Sequence, residues 1–264
     1  MSKKTKYAQP HVMACESQAE VGAVYRRWLQ SQAPDANGTM RAVTRESTRQ
    51  AFALVMEQAG RQPAVEAFLA HWQGGGRTWF WSDLHIGHAN IIRFCSRPFP
   101  DVQSMDNSMQ AMACAVGIEP ADWVVFLGDL TFRDDAATRE WLAPIPGSKL
   151  LVLGNHDVFE SNTRPRNPLR WGLDAVVDCL EIPARAGVPA GIERLWLTHY
   201  PILNGLPASV LNLHGHTHDK EVGLAGTHRN LSVEMTGYVP VQIDRSTGPG
   251  GGPSADALAV SRGR

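Results

Sequence analysis

The chain has little cysteine, and its few thiols are scattered. Its 264 residues contain four cysteines, Cys15, Cys95, Cys114 and Cys179, and no two of them form a C-x-x-C pair. Dispersed cysteines in a chain of this length are typical of buried or incidental thiols in a reducing compartment. This pattern argues against a disulfide framework and against a structural zinc site built from thiolates.

Long apolar runs are also missing. No stretch approaches the roughly 18 consecutive apolar residues that a membrane-spanning helix needs, so the sequence predicts no membrane partner. The first residues, MSKKTKYAQPH, are basic but have no apolar segment behind them and therefore do not read as a secretory signal. We expect a cytoplasmic protein.

Strong net charge is absent as well. The formal net charge is −1, which gives no bulk attraction to nucleic acid or to an anionic membrane. Hydrophobic residues make up 43% of the chain, enough for the core of one large domain or of one domain with an appendage. The functional signal must therefore lie in local motifs.

Five short polar blocks follow five apolar runs in a fixed order. The runs have the length of strands and cover 78–81, 123–127, 150–153, 195–197 and 210–213. The blocks that follow them are Asp83-Leu84-His85, Gly128-Asp129, Gly154-Asn155-His156-Asp157, Thr198-His199 and Gly215-His216-Thr217-His218. Because ligands gather at the carboxyl ends of strands in α/β sheets, we expect the blocks to form a single site.

The spacing of apolar residues predicts how the rest of the chain is organised. Residues 1–75 are predicted to be a helical N-terminal extension of three helices, the third with Pro63 in its first turn. The apolar faces of these helices would pack on the next domain or pair in a homo-oligomer. Residues 76–244 would form the main domain, and residues 245–264, rich in Gly, Pro and Ser, a disordered tail.

Alternating strands and helices predict an α/β fold for the main domain. Helical stretches around 105–117 and 135–143 separate the first three strands. Segments 175–182, 230–235 and 239–243 are predicted to be strands joined without long helices. This arrangement favours a second, more antiparallel sheet.

The blocks supply seven side chains that could coordinate metal ions. They are Asp83, His85, Asp129, Asn155, His199, His216 and His218. The set is too rich in imidazole for Mg²⁺ or Ca²⁺ and suits Mn, Fe, Zn, Co or Ni, among which we favour Mn. Seven ligands are too many for one catalytic ion, whereas two divalent ions that share one carboxylate would fit.

The charge of this set suits a phosphate ester. Asp83 and Asp129 are its only anionic members, so two divalent ions would leave a charge of +2, or +1 with a bridging hydroxide. Two ions about 4 Å apart, with a metal-bound hydroxide as nucleophile, form the usual clamp for phosphoester hydrolysis. His156 follows the candidate ligand Asn155 and is our candidate general acid for the leaving group. The carboxylates that could orient its imidazole are Asp134, Asp135 and Asp157.

Taken together, the blocks resemble the calcineurin-like metallophosphoesterase superfamily, whose pattern is D-x-H, G-D, G-N-H-[DE], H and G-H-x-H. The runs 82–92 and 230–241 are similar to small bacterial and phage members, and the resemblance covers about residues 77–244. It implies a four-layer αββα sandwich of two mixed β-sheets flanked by helices.

The resemblance also implies roles for individual residues. The first metal would be bound by Asp83, His85 and His218. The second would be bound by Asn155, His199 and His216, with Asp129 as the bridge and His156 beside the leaving group. One departure is the run Leu130-Thr131-Phe132-Arg133, which replaces the Asp-Arg-Gly run of the Ser/Thr protein phosphatases. This departure argues against phosphoprotein substrates.

The predicted function is a bimetal-dependent phosphoesterase that hydrolyses phosphodiesters or small phosphomonoesters. One alternative is a non-catalytic scaffold of the same fold, which would need neither His156 nor a full ligand set. Another is a nuclease, against which the near-neutral charge counts. A phosphate-ester substrate is therefore the expected partner, and nucleic acid stays an open alternative.

Four further residues are candidates for substrate binding: His88, Asn90, Arg164 and Arg166. The first two either approach the metals and the substrate or cap the helix that follows. The two arginines either hold a substrate phosphate or belong to a solvated basic loop. The same choice applies to Arg93 and Arg97.

Overall fold

The computed structural model describes residues 62–157, 159–161, 164–165, 167–203, 206–222 and 226–243. The first two predicted helices of the N-terminal extension, the predicted tail and Cys15 lie outside these ranges. Cys95, Cys114 and Cys179 form no disulfide with one another, in agreement with the sequence. Among the described residues, no helix is both long and apolar enough to traverse a bilayer.

Helices and strands alternate through the first half of the described chain. The helices are α1 (Gln62–Gln73), α2 (Ala89–Phe94), α3 (Val102–Ala115), α4 (Asp135–Leu142) and α5 (Val233–Thr236), with a 3-10 turn at Pro168–Arg170. The strands are β1 (Thr78–Trp81), β2 (Trp123–Phe126), β3 (Ser148–Val152), β4 (Phe159–Ser161), β5 (Arg164–Pro165), β6 (Ala175–Val177), β7 (Leu180–Pro183), β8 (Arg194–Leu197), β9 (Val210–His214), β10 (His228–Asn230) and β11 (Val241–Gln242).

The first sheet has the strand order β11-β1-β2-β3-β6. Strands β1, β2, β3 and β6 are parallel, and β11 pairs with β1 in the antiparallel sense. All residues of β1 and β2 are buried, as expected for strands covered on both faces. The carboxyl ends of β1, β2 and β3 therefore meet at one edge, where the first three polar blocks begin.

The second sheet has the order β10-β9-β8-β7 and is mostly parallel. Strands β8, β9 and β10 run parallel, and only the β7–β8 pair is antiparallel. The prediction of a more antiparallel second sheet is therefore wrong. A parallel crossover needs about a dozen residues but not a helix, and the connections 198–209 and 215–227 are long enough. These two connections carry the fourth and fifth polar blocks.

Two other strand predictions need correction. Segment 175–182 holds two strands, because β6 belongs to the first sheet and β7 to the second. Segment 230–235 contains the end of β10 and the helix α5, which begins after Ser232 and ends at Gly237 with a left-handed φ of 66°. Short apolar runs do not distinguish a strand from a buried helical turn, so the pattern alone could not separate them.

The space between the sheets holds the main core. Phe80 and Val125 of the first sheet face Leu195 and Leu211 of the second, and all four are buried. Helix α1, the predicted third helix, adds Phe68 and Trp72 to the same core. The Trp72 indole N–H donates to the Pro183 carbonyl at 2.7 Å, and the Arg185 guanidinium lies 3.6 Å from its ring centre.

Helices cover the outer face of the first sheet. Trp79, Trp81 and Phe126 point to that face and pack against Met105 and Met109 of α3. The Asp101 carboxylate caps α3 by accepting from the Ser104 N–H. The outer face of the second sheet carries a smaller apolar cluster, made of Cys179, Trp196, Ile202 and Val210. Two mixed sheets with flanking helices confirm the predicted α/β fold class.

Candidate metal centre

The polar blocks adopt unusual backbone conformations at the strand ends. Five of the seven candidate ligands have positive φ: Asp83 at 57°, His85 at 54°, Asp129 at 53°, His216 at 68° and His218 at 51°. A left-handed conformation costs an L-residue about 1–2 kcal/mol. Such conformations cluster where function requires them, and here they turn the ligand side chains towards one another.

The glycines of the blocks permit close approach between segments. A Cβ atom on Gly154 would overlap the backbone nitrogen and carboxylate of Asp129. A Cβ atom on Gly215 would overlap the Ser82 hydroxyl and the Asp83 carboxylate. Glycine is therefore required at these two positions because an opposing block passes directly over the backbone.

One group of candidate ligands consists of Asp83, His85 and His218. One donor atom from each lies within 4.8 Å of the other two. Asp83 Oδ1 and His85 Nε2 are buried and have no hydrogen-bond partner among the described residues. Unpaired buried polar atoms are costly, and a cation held by this group would satisfy both of them.

A second group consists of Asp129, His199 and His216, whose donor atoms also lie within 4.8 Å of one another. The His199 Nδ1 donates to the Leu127 carbonyl at 2.8 Å, which directs Nε2 into the group. Asn155 lies beside it, with its Oδ1 atom 3.1 Å from His199 Nε2. The hydroxyl of Tyr200 donates to the same Asn155 oxygen at 2.8 Å.

The carboxylate of Asp129 lies between the two groups. Its Oδ2 atom is 3.6 Å from His85 Nε2 on one side and 3.5 Å from His199 Nε2 on the other. Its Oδ1 atom accepts a hydrogen bond from the backbone N–H of His156 at 2.8 Å. The structure thus brings all seven predicted ligands into one centre.

Burial and charge set the protonation of this centre. Burial lowers the pKa of His85 and of His216 well below the ordinary value, which favours the neutral imidazole that a metal ion requires. Burial also acts on His199, but the Asp129 carboxylate outweighs it and raises the pKa of His199 to about 9. The same pairing holds the pKa of Asp129 well below its ordinary value in spite of burial. A cation bound here would displace the proton from His199.

His156, the predicted general acid, lies at the rim of the centre. Its Nε2 atom is 4.0 Å from Asp129 Oδ2, and its side chain is 33% exposed, against 0% for His199. The Phe132 ring lies 4.8 Å from the His156 ring and 5.3 Å from the His85 ring, measured between centroids. Phe132, which belongs to the run that replaces Asp-Arg-Gly, therefore lines one side of the centre with its aromatic ring.

The four candidates for substrate binding lie in different surroundings. His88 stacks on Phe132 with centroids 4.1 Å apart, and its Nδ1 is 3.3 Å from His85 Nδ1. It occupies the N-cap position of α2 but makes no capping hydrogen bond through its side chain, and burial lowers its pKa to about 4. Asn90 is exposed in the first turn of α2. Arg166 lies outside the described residues, and Arg164 lies in β5.

The three carboxylates considered as partners for His156 have other contacts. Asp134 caps α4 by accepting from the Ala137 N–H at 2.8 Å. Asp135 accepts from the Trp171 indole N–H at 2.8 Å. Asp157 is buried and accepts from backbone N–H groups that belong to Asp129, Leu130 and Gly154, each at 2.8 Å. Asp157 therefore links the loops that follow β2 and β3 through their backbone N–H groups.

Two interactions near the centre could not be predicted from the sequence. Arg97 is not part of a solvated basic loop, because its side chain is fully buried and ion-paired with Glu234. Asp106 of α3 accepts from the Gly87 N–H and from the Arg133 guanidinium. The partners are far apart in sequence, so no local pattern signals them. His214 is also buried, and its Nδ1 donates to the Gly215 carbonyl.

The two mixed sheets and the paired Asp and His groups are the features of a metal-dependent phosphoesterase. The sequence model of the family described as calcineurin-like phosphoesterase matches residues 76–240. This match spans more than half of the chain, and the protein belongs to that family. The predicted family resemblance is thereby confirmed, and phosphoesters are the substrates of the family as a whole.

Individual relatives are similar over the same region. An uncharacterised protein of Methanocaldococcus jannaschii is 39% identical over 169 residues, which are 62% of this chain and 85% of the relative. The Gene 66 protein of Mycobacterium phage D29 is 32% identical over 182 residues, 61% of this chain and 88% of the relative. A solved structure from Aquifex aeolicus, titled as a protein of unknown function, is 25% identical with a TM-score of 0.48 and covers 62% of this chain and 94% of its own. The phage relative agrees with the predicted resemblance to small bacterial and phage members.

Proposed function

We propose that this protein is a bimetal phosphoesterase that hydrolyses phosphodiesters or small phosphomonoesters. One observation carries the proposal. The Asp129 carboxylate lies 3.6 Å and 3.5 Å from the ring nitrogens of His85 and His199, which belong to separate ligand groups. A shared carboxylate between two sets of donors is what a two-ion centre requires.

The residues of the two groups fit two divalent transition-metal ions, with Mn favoured. Asp83, His85 and His218 would hold the first ion. Asn155, His199 and His216 would hold the second, and Asp129 would serve both. Bound ions would act as Lewis acids towards the phosphate and the attacking water. The two carboxylates leave this pair of ions with excess positive charge, which suits an anionic ester.

His156 is proposed to donate the proton that the leaving oxygen requires. Its ring lies at the exposed rim of the centre, within 4.0 Å of Asp129 Oδ2, so it can reach a bound ester without being a ligand itself. Its backbone N–H is fixed by Asp129 Oδ1, which keeps the residue in register with the ligands. A general acid in this place stabilises the alkoxide as the P–O bond breaks.

The residues after Asp129 favour small esters over phosphoproteins. Phe132 lines the centre with an aromatic ring, and Arg133 is bound to the buried carboxylate of Asp106 at 2.7 Å. This arrangement differs from the Asp-Arg-Gly run that the protein phosphatases carry. A diester or a small monoester would place its leaving group against Phe132 and His156.

The test is metal binding followed by hydrolysis. Protein stripped of metal and titrated with Mn²⁺ should bind two ions and then hydrolyse bis-p-nitrophenyl phosphate or p-nitrophenyl phosphate. Asp129→Asn should lose activity because the shared ligand loses its charge. Full activity of Asp129→Asn, or a stoichiometry below two ions in the wild-type protein, would contradict the proposal. Cleavage of RNA or DNA oligonucleotides in the same assay would instead support the nuclease alternative.

A further inference from the structure

A buried ion pair lies behind the first ligand group. The Arg97 guanidinium is 2.8 Å from Glu234 Oε1, and both side chains are at most 5% exposed. Glu234 Oε1 also lies 3.1 Å from His218 Nδ1. The order of contacts is therefore Arg97, Glu234, His218, with the last residue in the group of donors that faces a metal ion.

The Arg97 guanidinium also contacts the backbone on the opposite side of the same group. Its Nη2 atom donates to the Asp83 carbonyl at 2.7 Å, and its Nη1 atom donates to the Leu84 carbonyl at 2.8 Å. These carbonyls belong to the turn in which Asp83 and His85 adopt positive φ. One guanidinium thus fixes the backbone of two candidate ligands and the carboxylate that contacts the third.

The Glu234 contact determines which ring nitrogen of His218 faces the ion. A carboxylate can only accept a hydrogen bond, so Nδ1 carries a hydrogen and Nε2 is the nitrogen left to face an ion. Histidine ligands are commonly oriented by such carboxylates on the nitrogen away from the metal. The Arg97 guanidinium and His218 Nδ1 both contact Oε1 of Glu234, whereas Oε2 is buried without a hydrogen-bond partner among the described residues.

The second ligand group is supported differently. His199 is oriented by the Leu127 carbonyl, and Asn155 by the Tyr200 hydroxyl. Both of these supports are neutral, and neither involves Arg97 or Glu234. The His216 N–H joins the two groups by donating to Asp83 Oδ2 at 2.8 Å, but the contacts behind His199 and Asn155 do not pass through the Arg97–Glu234 pair.

We propose that Arg97 and Glu234 are positioning residues that set the affinity of the first ion alone, through His218 and the Asp83–His85 turn. The inference rests on the proposed two-ion function. It goes beyond that function because it assigns the charged pair to one half of the centre. The ligands of the two ions would then respond separately to changes behind them.

The experiment compares two matched substitutions. Glu234→Gln keeps the size of the side chain but removes the charge, and Arg97→Lys tests the other member of the pair. Glu181→Gln is the control, because Glu181 also pairs with an arginine, Arg194, and accepts from a ring N–H, that of Trp196, on the outer face of the second sheet. Metal-free proteins are titrated with Co²⁺ while visible absorption is recorded, and bound metal is counted by plasma mass spectrometry.

Wild type and Glu181→Gln should each bind two ions, and the affinity of each site should be the same in the two proteins. Glu234→Gln and Arg97→Lys should bind one ion about 10- to 100-fold more weakly and the other unchanged, the range usual for loss of an outer partner of a ligand. Unchanged binding of both ions would overturn the inference, and so would equal weakening of both, which would indicate general damage to the fold. Fewer than two ions on the wild-type protein would instead overturn the proposed function.

Discussion

The Asp157 carboxylate lies under the backbone of Asp129 and accepts its N–H at 2.8 Å. The same carboxylate accepts the N–H groups of Leu130 and Gly154, so it joins the strand ends of β2 and β3. Asp157 is fully buried and sits two residues after the candidate ligand Asn155. The final residue of the G-N-H-D block therefore holds together the loops that present Asn155 and Asp129.

Loss of the Asp157 carboxylate should destabilise the protein strongly. Asp157→Ala leaves three buried N–H groups without this acceptor, at about 1–3 kcal/mol each, so we expect the free energy of unfolding to fall by at least about 3 kcal/mol. Asp134→Ala is the control, because it removes one N–H acceptor from an exposed helix cap and should cost about 1 kcal/mol. Urea denaturation of both metal-free variants measures the difference. Equal losses would refute the supporting role of Asp157.

Adding one methyl group at Gly154 should displace the shared carboxylate. In Gly154→Ala the new Cβ overlaps the backbone nitrogen and side chain of Asp129, so the two ligand groups must separate. We expect bound metal to fall below two ions per chain, measured by plasma mass spectrometry. Gly74→Ala is the matched control, since its Cβ would lie 3.1 Å from the Ala70 carbonyl and far from the centre. Full metal content in Gly154→Ala would contradict this account.

Replacement of His156 should separate catalysis from metal binding. His156→Gln should lower kcat by about 10²- to 10⁴-fold, the usual contribution of a general acid, while both ions remain bound. The loss should be smaller for p-nitrophenyl esters than for alkyl esters, because a p-nitrophenolate leaves without needing a proton. Rates on the two kinds of ester, with metal content measured in parallel, provide the test. An equal loss on both would argue against proton donation.

The Asp122 carboxylate should stabilise the fold only above acidic pH. It accepts hydrogen bonds from the Trp79 indole and the Arg77 guanidinium, at 2.9 and 2.7 Å. Burial opposes its ionisation, but these contacts and the Glu119 N–H outweigh burial and hold the pKa below the ordinary value. A lowered pKa means that the contribution is present at neutral pH and is lost as pH falls through the folded-state pKa.

Asp122→Asn should therefore be less stable than wild type at pH 7, by about 1.5–3 kcal/mol. The difference should shrink towards zero at the acidic end of a series of urea denaturations. Arg139→Gln, an exposed change on α4, should show no such trend. A difference independent of pH would show that the charge of Asp122 is not what stabilises the fold.

Helix α1 should be required for stability although the family match begins after it. Trp72 of α1 is completely buried in the core that both sheets share, so Trp72→Ala should lower the free energy of unfolding by about 3–5 kcal/mol. Phe94→Ala is the aromatic control, because Phe94 is 61% exposed and its loss should cost less than about 0.5 kcal/mol. Thermal or urea unfolding of the two variants distinguishes them. A small effect at Trp72 would mean that α1 merely lies on the surface.

The strands that precede the polar blocks could be predicted because each is a short apolar run with a polar stop. β1 covers the predicted residues 78–81, and the predicted helix 135–143 matches α4 to within one residue. The candidate ligands converge because parallel strands end at the same edge. Residue type and chain order were sufficient for this part.

The remaining features depend on contacts that leave no local pattern. Arg97 and Glu234 are 137 residues apart, and only the fold makes them neighbours. The parallel direction of β8 and β9 depends on a loop crossover, for which the sequence offers no helix as a sign. The sequence also gives no sign that β6 and β7 belong to different sheets, since both segments have the residue pattern of strands.

The positive φ angles of the candidate ligands lower the stability of the fold at the positions that would bind metal ions. Glycine would relieve the backbone cost at His85 or His216, but glycine offers no imidazole to a metal ion. A substitution that stabilises the metal-free fold at these positions would thus remove part of the centre. The backbone cost at these two histidines is offset only where their imidazoles are used, as in the proposed binding of metal ions.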